Sequence, residues 1–416
     1  MKCIPLILTI ALISLILGAC GPASSQPAGP AVAISPAVNV CTVNTFLSRV
    51  YFLNSAFSPQ PPFNQAPPSS TPIDPNSSNQ YIRAIAADLV NAFNSASPLP
   101  SFQGQLCNLT GVYINPAGCA NPSNPTTCNA SAGRIADYSW GFRQNSSPPQ
   151  RYIGISLALW YGCQPSNNVC APPLQKYETD LIQAVLARAG ETDPHGPTSQ
   201  PPPDPTPPFV DAVNSSASTS AMSVLATLAH ELGHVYWYDV FIVDSNGNPN
   251  PGGPPNFSLF CNGGFYLNAG TGGPWHDKPG FPNGNKRWVD FVEVRNGHQP
   301  NDVDIKQLQH QLGMGNYRKA GDWLYLLYSG IFGNAVHNPY NGPWASALAA
   351  FSPDEDFVET FELNVLRKAN PALTQLDIKI FGTRANPYTY DVLAHLSNTP
   401  PDPMFKSELV RKLNCF

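Results

Sequence analysis

Two histidines four residues apart enclose a glutamate and a glycine in the run His230-Glu231-Leu232-Gly233-His234. On a helix of about 3.6 residues per turn, positions i and i+4 share a face, so both imidazoles can reach one cation. Imidazole nitrogen is a zinc ligand, and Glu231, one step round the helix, can reach a metal-bound water instead of the metal. That division of labour suits metal-assisted hydrolysis, in which the ion acidifies the water and the carboxylate takes its proton. The bland alternative is a helix whose histidines merely pack. In a chain with 8 histidines among 416 residues, chance assembly of this pattern is rare, which favours the metal.

The flanking residues are built to form that helix. Val224, Leu225, Leu228, Leu232 and Val235 recur at i, i+3, i+4 spacing, and Ser218, Thr219 and Ser220 stand ready as N-caps. A catalytic zinc takes three protein ligands and keeps one position for water, so a third ligand must come from elsewhere. A His-x-x-Gly-x-x-His continuation is absent, because Trp237 and Val240 occupy the Gly and His positions. Asp239 falls one residue short of the second and reads as a supporting or structural residue.

A richer source of carboxylates is Ser352-Pro353-Asp354-Glu355-Asp356-Phe357-Val358-Glu359-Thr360-Phe361-Glu362. Glu355, Glu359 and Glu362 line one helical face, nearly opposite Phe357, Phe361 and Val365, so the acidic side can meet a metal or water. Together with the histidine motif, this E-x-x-x-E run resembles the gluzincin branch of the zincin metallopeptidases. The resemblance implies a Zn2+ ion held by His230, His234 and Glu355, with Glu359, one turn on, orienting a liganding histidine. Other readings stay open. Ser352 and Glu355 also spell a capping box with Pro353 at the first helical position, Glu359 could itself be the ligand, and a charged stripe is often simply solvated. The 120 residues between His234 and Glu355 exceed the usual family spacing and require an insertion.

The resemblance further implies an α+β, zincin-like fold. An N-terminal lobe, about 41–243, would hold a twisted mixed sheet and the HExxH helix, and a mainly helical C-terminal lobe, about 244–416, would carry the glutamate helix. It also implies a peptide lying against an edge strand, for which 106–114 and 151–160 are candidates. An oxyanion donor is expected too. Tyr388, Tyr390 and His395, on an expected loop, compete for that role with ordinary packing.

Pattern reading adds a helix over 80–93, strands over 106–114 and 151–160, and a helix over about 174–189. A proline-dense loop covers 194–208 and an irregular Asn/Gly/Pro stretch covers 244–286, with helices expected at 288–294, 305–312 and 323–332. No internal repeat is visible.

Met1-Lys2 precedes an apolar run from Ile4 to Leu17 that suits a secretory signal over residues 1–19 and is too short to span a bilayer. Leu17-Gly18-Ala19-Cys20 resembles a bacterial lipobox, which makes Cys20 the expected lipidation site, and Gly21 fits outer-membrane sorting. Cleavage nearby with Cys20 incidental is the alternative. Residues 20–40 read as a flexible tether and 41–416 as the folded domain. Of the 10 cysteines, eight remain after Cys3 and Cys20, an even number as full bridging requires. Cys119 with Cys128 and Cys163 with Cys170 would close short loops, leaving Cys41, Cys107, Cys261 and Cys415 for two further bridges. The absence of C-x-x-C spacing speaks against a second zinc site.

Charged residues are only 12% of the chain and prolines number 46, which describes a loop-rich exported protein. The net charge of -5 offers no basic footprint for nucleic acid. The expectation is therefore a zinc-dependent endopeptidase of the bacterial cell envelope, hydrolysing a peptide or protein substrate with a zinc-bound water activated by Glu231, and touching the membrane only through its N-terminal lipid. Two other readings accompany it: a non-catalytic binding lipoprotein on the same scaffold, which would have no use for Glu231, and an amidase acting on cell-wall peptides.

Overall fold

The computed structural model describes residues 41–60, 63, 65–128, 138–144, 146–164, 170–179, 182, 210–212, 219–244, 246, 248, 250, 255–263, 265, 310–331, 345–346, 349, 353–391, 393 and 409–416. The expected signal, Cys20, the tether, Ser352, His395, the helix at 288–294 and the loop at 194–208 lie outside these residues, as does 305–309 of the helix expected at 305–312. Residues Ala37–Phe416 form one compact unit of mixed α and β structure.

Its first layer is a five-stranded mixed sheet. In chain order the elements are α1 (Val43–Leu47), β1 (Val50–Leu53), β2 (Ser70–Pro72), α2 (Gln80–Ser95), α3 (Pro100–Asn108), β3 (Gly111–Asn115), β4 (Trp140–Gln144) and β5 (Gln150–Ser156). The strand order is β2-β1-β3-β5-β4, with β1, β3 and β5 parallel and the two outer strands antiparallel to their neighbours. Then follow β6 (Val210–Ala212), α4 (Ser220–Val240), α5 (Tyr317–Ile331), α6 (Pro353–Ala369), β7 (Asp377–Ile380) and β8 (Tyr388–Asp391). The last two strands join β6 in a three-stranded antiparallel sheet, so a strand from before residue 243 pairs with one from well after it.

The core explains the layering. Ile85 and Leu89 of α2, Val112, Ile114, Ile153 and Ile155 of the central strands, and Val224, Leu225 and Leu228 of α4 bury together. A second cluster gathers Trp237, Phe241, Phe265, Phe357 and Ile378 beneath the small sheet. On the opposite side of the large sheet, Trp140, Phe142 and Tyr152 pack with Phe57 and Phe63.

Several expected boundaries move. Leu106, Cys107 and Asn108 close α3 instead of opening a strand, because Pro100 starts a helix whose Phe102 and Leu106, four apart, bury on one face. The strand expected over 151–160 ends at Ser156, whose hydroxyl accepts from the Ala158 amide at 3.2 Å and starts a 3-10 turn over Leu157–Trp160. Neither β3 nor β5 is an edge; the outer strands are β2 and β4. Sheet order is set by non-local pairing, which strand patterning does not report. Tyr388 and Tyr390 sit in β8, not a loop, with Tyr390 buried in the second core and Tyr388 stacked on Tyr325. The helices expected at 80–93 and 323–332 are present as α2 and α5; of the one expected over 174–189, residues 174–179 and 182 are described and are helical.

Candidate metal centre

The helix carrying His230 and His234 begins where Thr219 caps it, its hydroxyl accepting from the Met222 amide. From Met222 to Ala229 every residue is buried, the pattern of a helix enclosed on all sides. It packs on β4 and β5, against α2, and against α6. Two glycines set these approaches. A Cβ on Gly233 would lie 3.2 Å from Val358 Cα, so the bare backbone lets α6 come close along the face that bears the histidines. A Cβ on Gly141 would lie 1.9 Å from the Glu231 carbonyl oxygen, so β4 runs hard against the same turn.

That crossing brings Glu355 to both imidazoles. His230 Nε2 lies 3.8 Å from Glu355 Oε2, and His234 Nε2 lies 3.8 Å from Glu355 Oε1. The rings stand 5.0 Å apart at 77°. One donor atom from each of the three residues falls within 4.8 Å of the others. These separations are too long for hydrogen bonds, whereas ligands about 2.0–2.1 Å from a shared tetrahedral ion are held roughly 3.4 Å apart. Two imidazoles and a carboxylate in that arrangement can hold a metal ion. The side chains of His230, His234 and Glu355 are 11%, 20% and 22% exposed, so the centre opens to solvent on one side.

The other face of His230 meets two more carboxylates. Its Nδ1 lies 2.7 Å from Glu359 Oε1 and 3.3 Å from Glu362 Oε2, neither contact being aligned as a hydrogen bond. Ser346 Oγ donates to the second Glu359 oxygen. Glu359 and Glu362 are buried, so the acidic stripe of α6 is turned inward onto α4, not solvated. This second group of His230, Glu359 and Glu362 also has donor atoms close enough to share a cation.

Burial dominates the electrostatics. It pushes Glu231 up to about 7 against the charge of His230, with Glu362 and Glu359 adding to the rise. It pushes His234 down to about 3, with the charge of His230 in support. For His230 burial also pulls downward, but contacts with Glu359 and Glu362 outweigh it and hold the ring well above its ordinary value. Burial raises Glu355 well above the usual carboxylate range, and Glu362 to about 7. Glu231 Oε2 is buried with no hydrogen-bond partner among the described residues, an orphaned acceptor beside the histidines.

Two more carboxylates bear on the centre: Glu362, which the sequence puts on the acidic face with no assigned role, and Glu178. The latter, on the helical segment 174–179, has a carboxyl raised well above its ordinary value, by burial first and then by the charges of Glu362 and Glu359. No local signal marks Glu178, since its approach to the centre is a tertiary event. Asp239 instead pairs with Arg151 at 2.8 and 3.1 Å and with Arg143 at 3.3 Å, tying α4 to β4 and β5. Tyr388 is bonded to Asp322, and Tyr390 packs in the second core.

The eight described cysteines form four bridges: Cys41–Cys107, Cys119–Cys128, Cys163–Cys170 and Cys261–Cys415. No described helix is long and apolar enough to cross a membrane. No protein-family model, no curated protein and no solved structure matches the chain.

Proposed function

We propose that this chain is a zincin-like, gluzincin-type metallopeptidase of the bacterial envelope, with zinc held by His230, His234 and Glu355 and with Glu231 as the proton acceptor. The observation that carries this reading is the approach of one carboxylate to two imidazole Nε2 atoms at 3.8 Å each, beside a buried Glu231 oxygen with no hydrogen-bond partner among the described residues. Two nitrogens and one oxygen suit zinc better than calcium or magnesium, which prefer all-oxygen sets. When bound, the ion supplies Lewis acidity and lowers the pKa of water at its open position.

The protein's own groups do the rest. Glu231, raised to about 7, would accept the proton of the attacking water as its oxygen bonds to the peptide carbonyl carbon, and return that proton to the amine as the C–N bond breaks. His234, kept neutral by burial, presents a lone pair at any ordinary pH. Glu359 orients His230 from behind through Nδ1. Of the two outer strands of the large sheet, β4 is the one packed on α4, and Gly141 keeps it close to the Glu231 turn, so β4 is the edge offered to an extended peptide.

Four bridges among eight cysteines are consistent with an exported protein. Lipidation at Cys20, outer-membrane placement and the tether of residues 20–40 belong to the same proposal and rest on the lipobox-like run.

The test uses protein purified without residues 1–20, assayed for zinc and for cleavage of an unstructured protein. About one zinc is expected in both wild type and Glu231→Gln, with cleavage in the wild type alone. Cleavage that survives in the variant removes Glu231 from the mechanism; cleavage of cell-wall peptides alone redirects the substrate to the wall.

A further inference from the structure

The last described segment, residues 409–416, ends the chain against the first turn of α6. Lys412 Nζ lies 2.9 Å from Asp356 Oδ1 and 2.6 Å from Asp356 Oδ2. Both side chains are enclosed, at 1% and 0% exposure. The ammonium also sits 5.5 Å from the Phe265 ring centroid. Phe416 packs on Phe357 and Phe361 at 5.2 and 5.3 Å, and Cys415 is bonded to Cys261. The disulfide ties this segment to Cys261, its aromatic contacts reach Phe357 and Phe361 further along α6, and its ion pair grips the first turn of α6 at Asp356.

That turn is the one that carries Glu355. Successive residues of a helix point about 100° apart, so Glu355 and Asp356 leave the axis toward different neighbours. Glu355 reaches the histidines, and Asp356 reaches Lys412. A first helical turn is where backbone N–H groups lack intrahelical partners, and here it also gathers Asp354, Glu355 and Asp356 side by side. Gripping Asp356 by both oxygens fixes the rotation of the turn about its own axis, and therefore the direction in which Glu355 departs.

A buried lysine is a rare and costly choice for stability alone, since an apolar pair of similar volume often serves as well or better. Its distinctive contribution is geometry. Metal ligands must be held to about half an ångström, which requires their supports to be locked in turn.

We infer that Lys412 is a positioning residue for the metal centre, setting the Glu355 carboxylate through its ion pair with Asp356. This rests on the reading of Glu355 as a ligand. The centre is thereby assembled from three distant stretches of chain: the HExxH helix, the first turn of α6, and the C-terminal segment.

The experiment measures Zn2+ affinity by chelator competition and the Tm of the metal-free protein, for wild type, Lys412→Met, the double variant Asp356→Leu with Lys412→Met, and Glu355→Gln. Lys412→Met takes the ammonium away from a buried carboxylate and is expected to lower both quantities. The double variant removes both charges and is expected to restore the metal-free Tm to within a few degrees of wild type while Zn2+ affinity stays at least tenfold weaker. Wild-type affinity in the double variant, with Glu355→Gln weakened, overturns the role of Lys412 and leaves the ligand assignment standing. Wild-type affinity in Glu355→Gln overturns the assignment itself. If the double variant does not fold, Lys412→Arg decides: it keeps the charge but misplaces it, so unchanged affinity counts against the inference and weakened affinity in a folded protein supports it.

Discussion

Burial moves Glu231 and His234 in opposite senses, and both shifts suit a hydrolytic metal site. A carboxyl raised to about 7 can take a proton and return it near neutrality, and an imidazole lowered to about 3 is free to bind metal. Replacing Glu231 by Gln is expected to cost roughly two to four orders of magnitude in cleavage rate with zinc retained. Glu355→Gln is expected to weaken zinc retention more than Glu359→Gln, whose loss as an orienting group costs roughly 10- to 100-fold; the reverse order in chelator competition would exchange their roles. The same shifts set a pH dependence. Glu231 and Glu362, with folded values about 7, keep protons between about pH 4.5 and 7 that the unfolded chain releases, and Glu178 and Glu355, raised by burial, act in the same sense. Their contribution to stability is therefore present on the acid side and lost as pH rises through the folded values. His230, also raised, acts in the same direction, whereas His234 opposes it by gaining stability between about pH 3 and 6.5. The metal-free protein should accordingly lose thermal stability from pH 5 to pH 8. Zinc needs deprotonated ligands, so its stabilising effect should be larger at pH 8 than at pH 5. Thermal melts with chelator and with zinc at the two values check this, and an equal zinc effect at both would contradict it.

Among the elements, α4 is fixed from two sides by glycines. Gly141→Ala would drive a methyl group against the Glu231 backbone and is expected to destabilise by about 1–3 kcal/mol, with cleavage reduced because β4 and the Glu231 turn must part. Gly233→Ala meets Val358 at 3.2 Å, where a small shift of α6 suffices, so a milder loss of Tm is expected. Denaturation midpoints of the two variants, compared with wild type, test this order. The helices α2, α4 and α6 are readable in the sequence, because α2 and α4 carry apolar stripes at helical spacing and α6 an acidic stripe opposite phenylalanines, whereas the short α1 and α3 are not. What periodicity could not convey was which strand lies at the edge, since β4 gains that place only by pairing with β5 across the sheet. Nor could it show that the acidic stripe of α6 is buried. An amphipathic pattern reads as solvated until a second helix brings histidines to meet the acids.

At the scale of the whole molecule, the bridges link stretches that local signals cannot connect. Cys119–Cys128 and Cys163–Cys170 follow from short spacing, but only the fold divides the other four cysteines into Cys41–Cys107 and Cys261–Cys415. Cys41–Cys107 closes a loop of 66 residues, so replacing both by Ser is expected to cost about 4 kcal/mol in the chain-entropy account, measurable by denaturant unfolding. The convergence of Glu178 from the segment at 174–179, Glu355 from α6 and the histidines from α4 is likewise a property of the folded chain. The identity of the metal and its ligands is tested most directly by X-ray absorption at the zinc edge on zinc-loaded Glu231→Gln protein. The expected spectrum has one zinc per chain with two imidazoles and one carboxylate oxygen at about 2.0–2.1 Å, one imidazole being lost in His234→Ala. Failure to retain stoichiometric zinc, or a spectrum unchanged by removal of His234, would contradict the account.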